Sequence, residues 1–393
     1  MENSSNMKIT PVGLFPEDWE IIQLGTKASV LRGGSPRPID SFLTNDPDGI
    51  NWIKIGDVAV GAKYIKQTEE KIIPEGAVRS RKVYAGDFLL SNSMSFGRPY
   101  ILQIDGCIHD GWLVIQEYYD TFETDYLYYA LNSGYVLEQY KSLAAGSSVL
   151  NLNKDIVKRV NVAVPSRSEQ KRIAEALSGI DNMIATLDEA IAKKRQIKEG
   201  LMQQLLTGKT RLPGFRGEWE ELELGSILTY EQPGPFLVHS TDYVDSGVPV
   251  LTAGKTFILG YTNEDFGIYT NLPVIIFDDF VTESKYVDFP FKAKSSAMKM
   301  LSVRDKGRHN IRFIYDVMQL IDFPMTDHKR WWIAEYSHLK VRVPASIEEE
   351  DAIANAFFTI DGEIHGLEAQ REKYALIKQG MMQELLTGKT RLI

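Results

Sequence analysis

Leu205-Leu206-Thr207-Gly208-Lys209-Thr210-Arg211-Leu212 recurs letter for letter from Leu385 to Leu392. The match continues upstream at a constant offset of 180 residues, through Ile197/Ile377, Lys198/Lys378, Gly200/Gly380, Met202/Met382 and Gln203/Gln383. Further back it includes Ala174/Ala354 and Asp181/Asp361. This is an internal repeat, and a repeat governs any reading of the fold. A second repeated stretch has another offset: Gly13-Leu14-Phe15-Pro16-Glu17-Asp18-Trp19-Glu20, ending at Leu24-Gly25, returns as Gly214-Phe215-Arg216-Gly217-Glu218-Trp219-Glu220, ending at Leu224-Gly225, with Phe15, Trp19 and Leu24 displaced by 200. The enclosed segment is therefore about twenty residues longer in the first copy, and only the flanks are shared.

Upstream of each octapeptide, apolar residues recur in alternating steps of four and three, the spacing of a heptad seam. The first copy supplies Ile173, Leu177, Ile180, Ile184, Leu187, Ile191, Leu201 and Leu205; the second supplies Ile353, Phe357, Ile360, Ile364, Leu367, Tyr374, Met381 and Leu385. Lys194 and Lys198, and then Arg371 and Lys378, interrupt the stripe, which shifts sideways to Ile197 and Ile377. Ser166 or Ser168 before Glu169, and Ser346 before Glu348, provide N-cap chemistry. Gly208 and Gly388 stand where a left-handed C-cap ends a helix. A helix of roughly 38 residues is about 57 Å long and cannot hide such a stripe alone. The two copies are expected to pack on each other as an antiparallel intramolecular coiled coil, with self-association as the alternative.

The interiors read as α+β. Asn51 to Val58 alternates as a half-buried strand, Phe88-Leu89-Leu90 reads as a buried one, Asp125 to Tyr140 as a helix, and Val160 to Pro165 as a closing strand. In the second interior Val248 to Thr252 and Pro273 to Phe277 read as strands, Ile311 to Ile321 as a helix, and Leu339 to Pro344 as the closing strand. The predicted order is a variable domain (1–164), a spacer helix (165–212), a second variable domain (213–343) and a second spacer helix (344–393), related by a pseudo-twofold.

A chain of 393 residues with 44% apolar and 25% charged residues is ordinary for a globular protein of two or more domains. The single cysteine, Cys107, excludes a disulfide framework and a cysteine-based zinc cluster. The sequence shows neither a membrane-length apolar run nor a signal-peptide pattern at Met1 to Asn6, so a soluble cytoplasmic protein is expected. The net charge of −9 hides two basic islands. Lys285 to Arg312 holds eight basic and two acidic residues, and Arg79 to Arg98 holds four basic residues and one acidic. Such islands suit phosphate contacts, with polar neighbours reading base edges. The candidates for nucleic-acid contact are Arg32, Arg79, Arg81, Lys82, Ser91, Asn92, Ser93 and Arg98, and then Lys285, Lys292, Lys294, Ser295, Ser296, Lys299, Lys306, Arg308, His309 and Asn310. Trp331-Trp332 offers either base stacking or core burial.

Catalytic motifs are weak by comparison. Gly208-Lys209-Thr210 has the end of a phosphate-binding loop but Gln203 in place of its first glycine, and it ends a helix instead of opening one. Asp279, Glu283 and Lys285 are the residues a metal-dependent nuclease would use. No other catalytic or metal-binding constellation stands out.

Two dissimilar domains, each introduced by a Trp-x-x-x-x-Leu-Gly stretch and each followed by a helix ending Leu-Leu-Thr-Gly-Lys-Thr-Arg-Leu, resemble the specificity subunit of type I restriction-modification systems over essentially the whole chain. The resemblance implies that each variable domain reads one half of a split DNA target. It also implies that the helices hold the domains apart and dock two methyltransferase subunits, and that translocating restriction subunits join the assembly. S-adenosylmethionine, ATP and Mg2+ would then belong to those partners, with no catalytic residue or metal in this chain. The competing readings are a coiled-coil scaffold that does not read DNA and a stand-alone metal-dependent nuclease.

Overall fold

The structure, a computed structural model, describes residues 6–58, 61–92, 97–144, 152–254, 256–324 and 330–393. It divides into two compact units, Met1–Leu187 with Gln370–Ile393, and Asp188–Ala369. The expected mixed α/β domains and long helices are present, the helices spanning Arg167–Leu205 and Ile347–Leu385. Each unit takes part of both helices, so its boundaries do not follow the linear order of domain and spacer.

In the first unit, strand Glu20–Gln23 pairs antiparallel with Asn161–Val164 and frames the variable interior. Inside lie two five-stranded sheets. The first runs Ser29–Arg32, Trp112–Gln116, Phe88–Ser91, Pro99–Leu102, Tyr64–Ile65; the second runs Leu43–Thr44, Glu70–Ile72, Ile50–Ile53, Gly106–Ile108, Arg81–Val83. Phe88–Ser91 is buried along its whole length because it has a strand on either side. The second unit follows the same plan with fewer strands. Trp219–Glu223 pairs with Lys340–Pro344 and frames a four-stranded sheet (Leu228–Glu231, Met298–Val303, Val274–Asp278, Ser284–Val287) and a three-stranded one (Ile258–Thr262, Val248–Leu251, Lys292–Ala293). Among the described residues the missing strands are edge strands of the larger domain.

The repeated Leu-Gly has a structural reason. The Leu24 amide donates to Val160 O at 2.9 Å and the Leu224 amide donates to Leu339 O at 3.0 Å, so both fully buried leucines are fixed by the same bond to the closing segment. Local expectations fared unevenly. Strand Ile50–Ile53 ends before a short 3-10 turn, because the Asp57 carboxylate accepts the Lys54 amide at 2.6 Å. The helix predicted over Asp125 to Tyr140 is two helices, Thr124–Leu131 and Gly134–Ala144, parted at Asn132-Ser133. The helix predicted from Ile311 ends at Met318.

All sixteen predicted seam residues are buried or half-buried. Their roles differ along the stripe: Ile173, Leu177 and Leu385 join the core of the first unit, and Leu205, Ile353 and Phe357 that of the second. Within each unit the helix segments run antiparallel, as the ion pairs Lys194–Glu363 and Lys198–Asp361, both at 2.6 Å, show in the second. The expected sideways shift to Ile197 and Ile377 is corrected: both are exposed, at 45% and 37%. Instead Lys198 reaches Asp361, and its repeat partner Lys378 reaches Asp181, each at 2.6 Å.

The octapeptides close the units. Gly208 and Gly388 adopt φ +69° and +68°, and each amide donates to the carbonyl of Leu205 or Leu385 at 3.3 Å. The left-handed turn drives the following arginine back against a tryptophan, with Arg211 5.6 Å from the Trp219 ring and Arg391 5.6 Å from the Trp19 ring. Arg391 donates to both oxygens of Glu169 at 2.6 and 2.8 Å and to Asp18 at 2.7 and 2.9 Å, while Trp19 Nε1 donates to Glu169 at 3.1 Å. Arg211 grips Glu349 with Nε and a terminal nitrogen. Glu169 and Glu349 lie in the first turns of the long helices, where the helix dipole also favours a carboxylate. Hydrogen bonding to Glu169, and then to Asp18, raises the Arg391 pKa above its usual value.

Glu169 is only 2% exposed, so Arg391→Ala leaves a buried carboxylate without its cation and is expected to cost about 3 kcal/mol. The double change Arg391→Met with Glu169→Leu should cost clearly less. Urea unfolding of both variants checks this, and equal losses would refute it.

Candidate nucleic-acid interface

In the first unit, strand register gathers the candidates at one end of the domain. Arg32 stands opposite Leu113, Leu113 opposite Leu90, and Leu90 opposite Pro99, so Arg32 at the end of its strand, and Asn92 and Arg98 just beyond the ends of theirs, lie at the same end of the sheet. The turn between strands Gly106–Ile108 and Trp112–Gln116 joins this rim: the Asn92 amide donates to Gly111 O at 3.2 Å. Loop Gly33-Gly34-Ser35-Pro36-Arg37-Pro38 is fastened to it. Gly33 and Gly34 donate to Trp112 O and Ile108 O at 2.9 and 3.1 Å, and a Cβ on Gly33 would come within 2.0 Å of His109 O. Arg32 Nε donates to Asp110 O at 3.1 Å, Arg81 Nε donates to Arg32 O at 3.3 Å, and Ser80 Oγ donates to Gly34 O at 2.7 Å.

The structure thus brings Arg32, Arg79 and Arg81 together as exposed cations beside one loop, with exposed Lys82 next along the same edge strand. Sequence reasoning missed Arg37, which is exposed and lies 3.4 Å from Asp110; its place between two prolines in a fixed loop was the available signal. The Ser35 hydroxyl, donating at 2.9 Å, is the main cause that holds the Asp110 pKa below its usual value. Burial pushes the His109 pKa down, so this ring adds no charge near neutrality. Arg98 is half-buried, its guanidinium 5.9 Å from the Tyr100 ring, and Ser91 is buried. Ser93 lies outside the described residues.

The second basic island loses part of its charge to the interior of the fold. Lys292 is fully buried, 2.9 Å from Glu264, and donates to Phe266 O at 2.6 Å. Lys299 is 1% exposed and lies 2.7 Å from Asp279. Arg308 bonds Glu220 at 2.8 Å and the Ala345 carbonyl. His309 is buried, with Nδ1 2.9 Å from Glu350. Asn310 caps the helix from Ile311 by accepting the Arg312 and Phe313 amides, while its own amide group reaches Asp351 at 2.6 Å. Lys292, Lys299, His309 and Asn310 are structural, because their polar groups are already bonded inside the fold, while Arg308 is tied to Glu220 and Ala345 at the surface. Lys294, Ser295, Ser296, Lys285 and Lys306 keep exposed or half-exposed positions. Trp331 and Trp332 are core residues, at 1% and 2% exposure.

The rim of the second unit corresponds to that of the first. The Asp279 amide donates to Ala297 O at 3.1 Å and Asp279 O accepts from the Trp331 amide at 3.0 Å; Asn92 makes the matching bonds, to Gly111 O and from the Leu152 amide at 2.9 Å. The nuclease reading fails at this point. Asp279 is buried, paired with Lys299, and accepts the Trp332 amide at 2.9 Å, which leaves it engaged as a structural carboxylate. Among the described residues no group of three or more His, Cys, Asp or Glu side chains is placed to hold a metal ion.

Two variable domains thus stand on one repeated frame, the first with exposed cations gathered near a strand-end rim. Residues 16–199 match the family described as Type I restriction modification DNA specificity domain. The chain is 50% identical over 148 residues to the type I restriction enzyme EcoR124I/EcoR124II specificity subunit of Escherichia coli, an alignment covering 36% of each chain. The chain thus spans about a third of that relative's length. The MjaVIII specificity subunit of Methanocaldococcus jannaschii is 23% identical over 421 residues, covering 96% of this chain and 94% of that one. The type I restriction-modification S subunit from M. genitalium shares the fold, with a TM-score of 0.63 at 14% identity and 98% coverage of both chains. No helix among the described residues is long and apolar enough to cross a membrane.

Two measurements separate structural from surface cations. Lys299→Ala strands the buried Asp279 and should cost about 3 kcal/mol in urea unfolding, whereas Lys82→Ala should stay within about 0.5 kcal/mol; similar losses would contradict the assignment. The bond from Lys292 holds the Glu264 pKa down at about 2, from 4.5. The resulting stabilisation is complete above pH 4.5 and is lost as the pH falls toward 2. The melting temperature of Glu264→Gln should therefore lie below that of the wild type at pH 6, with the gap closing across that window.

Proposed function

We propose that this chain is the DNA-reading specificity subunit of a type I restriction-modification complex in the cytoplasm, each unit reading one half of a bipartite target. The observation that carries this reading is the contrast between frame and rim. The strand pair, buried leucine, helix ends and arginine staple are the same in both units, while the loops at the corresponding rims differ in sequence and charge. A fixed mount with two different reading surfaces suits a split target, since half-site spacing follows from the geometry of the protein that carries the readers. The names of the relatives support the same assignment.

In this reading the rim cations Arg32, Arg37, Arg79, Arg81 and Lys82 position the phosphate backbone, and Asn92 with Arg98 supplies polar contact to base edges. In the second unit Lys285, Lys294, Ser295, Ser296 and Lys306 take those parts. The exposed faces of the long helices dock methyltransferase subunits, and restriction subunits join that assembly. S-adenosylmethionine, ATP and Mg2+ are bound by those partners, and the chain itself is a recognition subunit with no catalytic role.

Mapping methylated adenines across the host genome with and without the chain tests the proposal: a two-part motif should vanish when the chain is absent. In the assembled methyltransferase, Arg79→Ala with Arg81→Ala should lower the slope of log affinity against log salt by about 0.9 for each phosphate that is no longer neutralised. An unchanged motif set would overturn the proposal, and an unchanged slope would remove these two arginines from it.

A further inference from the structure

Strands Val274–Asp278 and Ser284–Val287 are joined at the rim of the second unit by a tight turn that places two apolar side chains in water: Phe280 is 44% exposed and Val281 43%. The turn is rigidly built. Asp278 Oδ1 accepts the amides of Phe280 and Val281 at 2.8 and 3.1 Å, the Thr282 amide donates to Asp278 O at 3.0 Å, and the Asp278 amide donates to Glu283 O at 2.8 Å. Thr282 takes φ +54°, a conformation that β-branched residues rarely adopt. Below the tip, Trp331 Nε1 donates to Phe280 O at 3.1 Å, and the buried Asp279–Lys299 pair anchors the base of the turn. Apolar side chains fixed this firmly in solvent, on a strained backbone, point to a surface that is covered when the protein works.

The surroundings indicate what covers it. The Asp279 amide ties the turn to the Lys294–Ala297 segment, which brings Lys294, Ser295 and Ser296, and exposed Arg330 directly precedes Trp331. Cations and hydroxyls around an apolar tip match the chemistry of a wedge pushed between stacked bases, where the cations hold phosphate while the apolar group replaces a stacking partner. The tip also belongs to the rim that corresponds, through shared backbone bonds at Asp279 and Asn92, to the cationic rim of the first unit.

We propose that the Asp278–Glu283 turn is a DNA wedge, with Phe280 and Val281 inserted at a base step within the half-target read by the second unit. This rests on the DNA-reading function proposed above. Insertion makes unstacking part of the binding cost at one step, so the sequence there is selected through its deformability, without a hydrogen bond to a base edge.

The test uses the full chain assembled with its methyltransferase subunits and a duplex carrying the mapped target. A single abasic nucleotide is moved through the second half-site, and affinity is measured by competition at several salt concentrations. The wild type should bind about tenfold tighter when the lesion lies at one particular step, because unstacking there is already done. Phe280→Ala should lose that preference and bind the intact target about tenfold more weakly at an unchanged salt slope. Its melting temperature should match the wild type, since the side chain lies at an exposed tip. An identical lesion profile and affinity in Phe280→Ala would overturn the wedge while leaving the DNA reading intact. The wedge would also be overturned if replacing thymine by uracil in that half-site reproduced the loss, since this would signify contact with a thymine methyl in the major groove. Absence of target-specific binding by the wild-type complex would overturn the DNA reading and the wedge with it.

Discussion

The grip of an arginine on a buried carboxylate is the constraint on which the rest of the molecule depends. Glu169 and Glu349 sit at 2% exposure in the first turns of the long helices, where an unpaired charge would be intolerable. Each is satisfied by an arginine that arrives at the end of the other copy's octapeptide, turned back by a glycine at positive φ. This explains why the octapeptide is repeated intact. Leu205 and Leu206, or Leu385 and Leu386, enter the core, the glycine makes the turn, and the arginine closes it over a tryptophan ring. A first-copy segment completes the second unit, and a second-copy segment completes the first.

The interiors are free to diverge because little of the frame depends on them. The strand pair and the buried leucine recur, while the sheets shrink from five and five strands to four and three among the described residues. Edge strands are the ones that disappear, as they can go without breaking central pairing. What persists at the rim is backbone geometry, as the matching bonds of Asn92 and Asp279 show. Side chains there share almost nothing: one rim is rich in exposed arginine, and the other combines a few cations with an apolar tip.

The frame was legible in the sequence because repetition is visible without knowing any contact. The closing strands, the helix ends and the apolar stripe followed from periodicity and turn chemistry. Part of the second basic island was misplaced for a physical reason. The run from Lys285 to Arg312 looks more cationic when the chain is read linearly than it is in the fold, because folding delivers Glu264 to Lys292 and Glu220 to Arg308 from distant stretches. The first island kept its exposed charge because its residues lie on an edge strand and a loop. The sideways shift was misplaced at Ile197 and Ile377, which are exposed, while the neighbouring Lys198 and Lys378 turn inward to Asp361 and Asp181, each at 2.6 Å. The wedge turn escaped notice because Phe280 and Val281, beside a buried strand, look like more core.

Because the strand pair and its leucine bond are the same at both sites, each unit works as a socket whose rim and cradle are standard and whose cartridge is not. A lineage that exchanges the coding stretch between those two seams inherits new rim loops in one step, without rebuilding the mount. The twenty-residue inequality between the present cartridges marks how much bulk such a socket already tolerates.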